Sequence, residues 1–100
     1  MNNLKIQSIH FDADDKLLEF IRNKVSKLSN HFDGIHGGEV FLRLDKSKDS
    51  ENKIAEIRLF IPGNDLFTKR KSKTFEQAAD DCIVALKNQA RKHKEKMKRL

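Results

Sequence analysis

Leu17, Ile21, Val25, Leu28 and Phe32 follow one another at steps of four, four, three and four. That spacing predicts an amphipathic helix with one apolar stripe. Asp14 is placed to cap it, and Asp15 falls where the positive end of the helix dipole favours an acid. Asp33-Gly34 predicts its end, and His36-Gly37-Gly38 predicts a loop after it. Before the helix, Leu4 to Ile9 reads as a short strand. After the loop the period changes from helical to twofold. Over Glu39 to Asp45, Val40, Leu42 and Leu44 alternate with Phe41, Arg43 and Asp45; over Ile54 to Ile61, Ile57, Leu59 and Ile61 alternate with Glu56, Arg58 and Phe60. Such alternation predicts two half-buried strands, with Phe41 and Phe60 as an outward cross-strand pair. Lys46 to Lys53 joins them as a turn or longer hairpin loop. Pro62-Gly63-Asn64-Asp65 is a second turn, and Leu66 to Lys73 predicts a basic edge strand.

Thr74 and Gln77 form a T-x-x-Q capping box, which opens a last helix. Phe75, Ala79, Cys82, Ile83, Leu86 and Ala90 form its stripe. A helix from Phe75 to about Met97 is roughly 35 Å long, more than a small sheet needs for cover, so its end should project. The fold class expected is α+β: a β-α-β-β-β-α two-layer sandwich, with a four-stranded mixed sheet and two helices on one face. The strand-helix-strand start predicts a parallel first pair, and the short turns predict antiparallel pairs after it.

Charge changes the picture more than composition does. The 100 residues, 37% of them hydrophobic, suit a single domain over 1–100 with its own core. The net charge of +6 is concentrated at one end: from Lys87 to Leu100 there are seven Lys or Arg against Glu95 alone, while the rest of the chain balances at 14 basic and 14 acidic residues. On a helical wheel Lys87, Arg91, Lys94 and Lys98 fall in a wedge of roughly 60°. Lys92, Lys96 and Arg99 lie on the other flank of the apolar stripe. On the first helix Lys16, Asn23, Lys24 and Lys27 share a flank, and Arg22 stands apart. A charged row is ordinarily a solvated face, but like charges this dense repel one another. Paired helices carrying such rows predict a broad cationic surface for RNA phosphates. A membrane surface is disfavoured, because the apolar stripe that would enter it is needed for the core.

Other chemistry is not visible. No run approaches the ~18 apolar residues of a membrane span, and Met1 to His10 has no signal-type apolar segment. The single Cys82 cannot form an internal disulfide, which points to a reducing, cytoplasmic setting. His10, His31, His36 and His93 make no metal-ligand spacing with Cys82. His93 and Cys82 lie on the apolar stripe and read as packing residues. Asp12, Asp14 and Asp15 are explained by capping, and Gly34, Gly37 and Gly38 lack the Lys-Ser/Thr of a P-loop. No nucleophile, base and orienting acid assemble, so no enzyme, cofactor, metal or small-molecule substrate is expected.

Two stretches carry a family resemblance. One runs from Leu17-Leu18-Glu19-Phe20-Ile21 to the helix exit Lys27-Leu28-Ser29-Asn30-His31-Phe32-Asp33; the other is Ala85-Leu86-Lys87-Asn88-Gln89-Ala90-Arg91-Lys92-His93-Lys94-Glu95-Lys96. Together they resemble the short ribosome hibernation-promoting factors and ribosome-associated inhibitors of bacteria. The resemblance implies a non-catalytic protein of the stress response. It would occupy the mRNA and tRNA channel of the small ribosomal subunit, touch its rRNA, and inhibit translation in non-growing cells. The implied contacts are Lys24, Lys27, Lys87, Arg91, Lys92, Lys94 and Lys96, to which the wheel adds Lys98. Lys73-Thr74-Phe75-Glu76-Gln77-Ala78 departs from the family's usual aspartate and tyrosine there, with Phe75 left to fill the aromatic's role. The C-terminal domain through which long-form relatives pair two ribosomes is not expected here, and whether this protein promotes or prevents such pairing stays open. Two other readings compete: a protein-interaction or weakly homodimerising module, for instance a transcription modulator, using Phe41 and Phe60, and a generic structured-RNA binder.

Overall fold

A parallel pair of strands, closed by a helical crossover, sets the geometry of everything that follows. The computed structural model describes residues 3–47 and 49–98, and the side chains of all of these but 97 and 98. The elements are β1 (Leu4–Ser8), α1 (Asp15–His31), β2 (Gly37–Leu44), β3 (Lys53–Phe60), β4 (Leu66–Ser72) and α2 (Phe75–Lys98). The sheet order is β1-β2-β3-β4, with β1 parallel to β2 and the later pairs antiparallel. This is the expected α+β sandwich with a mixed sheet.

Both helices cover one face of that sheet. Ile21, Val25 and Leu28 from α1 meet Ala79, Cys82 and Leu86 from α2 over Val40, Leu42, Ile57 and Leu59, all nearly or fully buried. Burying side chains of this size is worth about 1.5–3 kcal/mol each, so the two stripes fix both helices. Asp14 Oδ1 accepts from Leu17 N at 2.8 Å and caps α1. Thr74 Oγ1 accepts from Gln77 N at 3.0 Å. The capping box is only half made, because the Gln77 amide donates to Asp81 Oδ1 at 2.9 Å instead. Phe75 stacks on Phe11, with ring centroids 4.9 Å apart, and so takes up the packing role expected of an aromatic at that position.

Three sequence expectations need correction. Gly37 and Gly38 are strand, not loop. Their reason is close approach: a Cβ on Gly38 would stand 2.8 Å from Arg58 O and 2.9 Å from Leu59 Cδ2. Leu44 has the parity of the buried face but is 48% exposed, because it is the last residue of β2 and the core stops short of it. Phe41 and Phe60 are not a cross-strand pair: Phe41 faces Glu56 and Phe60 faces Gly37. Four residues of strand, about 13 Å, separate the two rings' positions.

Each edge strand of the sheet is met at one residue by a helix side chain. Arg22 donates to Leu4 O at 3.3 Å on β1, which explains why it stands apart from the other cations of α1. At the other edge the Gln89 amide both accepts from Phe67 N at 3.1 Å and donates to Phe67 O at 2.8 Å. An uncovered edge would be a template for pairing with another chain. Ala90 is the last buried residue among the described side chains of α2, and residues 94–96 are exposed. The helix continues to Lys98, about 12 Å further. This projection contributes to a long dimension of 47 Å against 26 and 18 Å.

Candidate nucleic-acid interface

Where α1 and α2 lie side by side, their outer surfaces enclose a groove of three successive depressions. The first is lined by Lys24, Lys27 and Lys87, with Asp80 and Val84. The second is bounded by Lys87 and Arg91 across from His31 and Phe32. The third is a cavity of about 330 Å³ between His31, Phe32, Ile61, Pro62, His93 and Lys94. The structure therefore brings together Lys24, Lys27, Lys87, Arg91 and Lys94 from two helices far apart in sequence. The cause is helical parity: residues three, four and seven apart share a flank, and the buried stripes turn these flanks toward each other.

Lys92 and Lys96 are exposed but belong elsewhere. They follow Gln89 at helical spacing, and Gln89 faces β4, so their row flanks the sheet edge and not the groove. The two flanks expected from the wheel are thus present on α2, but they face different sides and do not join into the broad surface expected from the paired helices. The side chain of Lys98, and Arg99 entirely, lie outside the described residues. Lys24 also differs from expectation: its Nζ is 3.4 Å from Asp80 Oδ1 and 5.4 Å from the centre of the Phe20 ring. It is a bridged cation at the groove mouth, not a free one.

Ion pairs engage four of the strand cations, while Lys5, Lys53 and Arg70 have none among the described residues. On the outer sheet face Arg43 and Lys69 both meet Glu56, Arg58 meets Asp65 at 3.7 Å, and Lys71 meets Asp45 at 3.1 Å. The Lys71 hydrogen bond, helped by one from Ser47, holds the Asp45 carboxyl below its ordinary value. Among the described residues, no ion pair involves Lys27, Lys87, Arg91, Lys92, Lys94 or Lys96. Arg91 donates to Asn88 Oδ1 at 3.1 Å, a neutral partner. Lys87 with Arg91 and Lys92 with Lys96 are like-charged i, i+4 pairs, each unfavourable by about 0.2–0.5 kcal/mol. A polyanion along the helix reverses that sign.

The family model described as Sigma 54 modulation protein / S30EA ribosomal protein matches residues 4–98. The chain belongs to this family. The resemblance drawn from the helix exit and the terminal basic run therefore holds. Among S30EA relatives, the ribosome hibernation promoting factor of Pseudomonas putida is 26% identical over 97 residues, covering 97% of this chain and 91% of its own. The factor of the same description from Escherichia coli K12 is 27% identical over 95 residues, covering 95% and 96%. Two solved structures share the fold. A ribosomal subunit interface protein from Coxiella burnetii superposes with a TM-score of 0.81 at 17% identity, over 93% of this chain and 98% of that one. The N-terminal domain of Thermus thermophilus Protein Y gives 0.78 at 22% identity, over 93% and 99%.

Several residues of this S30EA groove escaped the sequence reading. Phe32 packs against the core, as its place on the stripe predicts, but it is half-buried, is the C-cap of α1 in extended conformation, and also lines two of the three depressions. Val84 is 61% exposed on the groove floor; an apolar residue off the stripe was the available signal. His93 is half-buried at the edge of the core and lines the end cavity, in keeping with a packing role. Cys82 is fully buried, its Sγ 3.4 Å from Ala55 O, and burial pushes its thiol up to about 12. Among the described residues, no group of three or more His, Cys, Asp or Glu is placed to hold a metal, and no helix is long and apolar enough to cross a membrane.

Proposed function

We propose that residues 1–100 act as a single ribosome-binding domain that occupies the mRNA and tRNA channel of the small subunit. There it inhibits translation in non-growing cells of a bacterium, working in the cytoplasm and without catalysis. Lys27, Lys87, Arg91 and Lys94 contact rRNA phosphates along the groove, Lys24 joins them once released from Asp80, and Lys92, Lys96 and Lys98 engage a second backbone segment from the far flank of α2. The observation that carries this reading is convergence: Lys27, Lys87, Arg91 and Lys94 line one groove from two helices, and among the described residues none of them has a carboxylate partner. Relatives named for ribosome hibernation, similar over nearly their whole length, support it.

The protein-interaction alternative through the outer sheet face is opposed by two features. Phe41 and Phe60 are separated, and the charges around them are already matched. Co-sedimentation with purified small subunits tests the proposal. The wild-type chain is expected to pellet with them and to inhibit translation in a cell-free system. Lys87→Glu with Arg91→Glu is expected to abolish both while leaving the circular dichroism melt intact. Wild-type binding by that folded variant contradicts the proposal.

A further inference from the structure

The end cavity of the groove differs from the two depressions before it. Its walls are mostly apolar, with Phe32, Ile61, Pro62 and Ala90 among them, and its polar side chains are His31, His93, Lys94 and one carboxylate, Asp33. At about 330 Å³ it lies at the lower limit of the roughly 300–1,000 Å³ common for small-ligand sites, suited to one flat ring system and too small for a peptide helix. It opens onto the same groove as Lys87 and Arg91, with His31 and Phe32 lining both spaces. Charge along the groove and an apolar recess at its end match the two halves of a nucleotide. Phosphates are held by ammonium and guanidinium groups, and an unstacked base finds an aromatic face.

Resting on the function proposed above, the geometry points to a subsite: the cavity receives a single unstacked nucleobase of the bound RNA against Phe32, while Lys94 and Arg91 hold the phosphates on either side. His31 and His93, which both line the cavity, supply ring nitrogens for the edge of the base. Stacking of this kind tolerates any base, so position along the RNA, not base identity, decides which nucleotide enters. The inserted base also gives the otherwise sequence-blind phosphate contacts a fixed register. This role explains why a half-exposed phenylalanine sits between a depression bounded by Lys87 and Arg91 and the more apolar end cavity.

Base-directed chemical probing of purified small subunits, run beside backbone hydroxyl-radical footprinting, tests it. Bound wild-type protein is expected to change the reactivity of one base that lies within the footprint of the groove. Phe32→Leu keeps apolar volume but removes the aromatic face. It is expected to bind about tenfold more weakly, with the backbone footprint kept and that one base signal lost. His93→Ala, on the opposite wall, provides the second variant should Phe32→Leu not fold, and it is expected to alter the same base. Retention of the wild-type base signal and affinity by a folded variant overturns the subsite but leaves the ribosome reading standing. Failure of the wild-type chain to bind subunits at all removes both, and crosslinks from the cavity to a ribosomal protein alone overturn the subsite.

Discussion

Lys24 on α1 and Asp80 on α2 form an ion pair of 3.4 Å across the mouth of the groove. Both side chains are about two-fifths exposed, at 39% and 42%, so solvent screens the pair and its worth is at most about 0–1 kcal/mol. The pair matters more for binding than for folding. Asp80 presents a carboxylate to any approaching phosphate and occupies one of the cations that would hold it. Asp80→Asn is therefore expected to tighten small-subunit binding several-fold while changing the melting temperature little. Titration of labelled protein with subunits measures this, and weaker binding by the variant would show that Asp80 assists the interface.

Gln89 is expected to be the most important polar residue of α2 for stability. Its two bonds to Phe67 are partly solvated, and each contributes on the order of 0.5–1.5 kcal/mol. Gln89→Ala should lower stability by about 1–2 kcal/mol. In a domain of this size that is a drop in Tm of roughly 4–8 °C per kcal/mol. Hydrogen exchange at the Phe67 amide should accelerate selectively. Unchanged exchange there would mean that the edge is protected by something other than the amide.

Gly38 has no room for a side chain. A methyl group there would meet backbone at Arg58 O, which cannot swing aside as a flexible side chain could. Gly38→Ala is expected to destabilise the fold by about 1–3 kcal/mol or more, as overpacking does. Gly63→Ala is limited instead by its positive φ of 86°, since nothing stands within 4 Å of its added carbon. Urea unfolding of the two variants distinguishes a steric failure from a conformational one.

Cys82 supplies a pH dependence whose sign can be stated. In the unfolded chain the thiol ionises near its ordinary value of 9.0; in the folded protein desolvation pushes it to about 12. Above pH 9 the unfolded state therefore binds fewer protons, and stability falls as pH rises toward 12, by up to about 1.4 kcal/mol per unit from this group. The difference in stability between wild type and Cys82→Ala should shrink over that window. A thiol reagent at pH 8 should leave the native protein unmodified and react at once in urea.

The fold was legible because its signals are local. The stripes from Leu17 to Leu28 and from Phe75 to Ala90, the alternation around Val40 and Ile57, and the caps Asp14 and Thr74 each act within a few residues. What the sequence hid depends on partners far away in the chain. Gly38 resembled a loop glycine until Arg58 and Leu59 were beside it. Lys24 resembled the other cations until Asp80, on another helix, was found against it. Helical parity grouped Lys87, Arg91 and Lys94 correctly, but it could not tell which flank faces α1 and which faces β4. Lys92 and Lys96 were placed on the opposite flank correctly, but the direction in which that flank faces waited for Gln89 to be seen against β4. Phe32 was hidden by periodicity itself, since it falls on the stripe one residue after the helix has ended.

The salt dependence of small-subunit binding tests the central claim most directly, because each phosphate neutralised adds to the slope of log affinity against log salt. Lys27→Gln, Lys87→Gln, Arg91→Gln and Lys94→Gln are each expected to weaken binding and to reduce that slope by about one. Lys69→Gln and Lys71→Gln, whose cations already meet Glu56 and Asp45, should leave it unchanged. Equal slopes for wild type and the groove variants, or a slope lost through the sheet variants instead, would contradict the account.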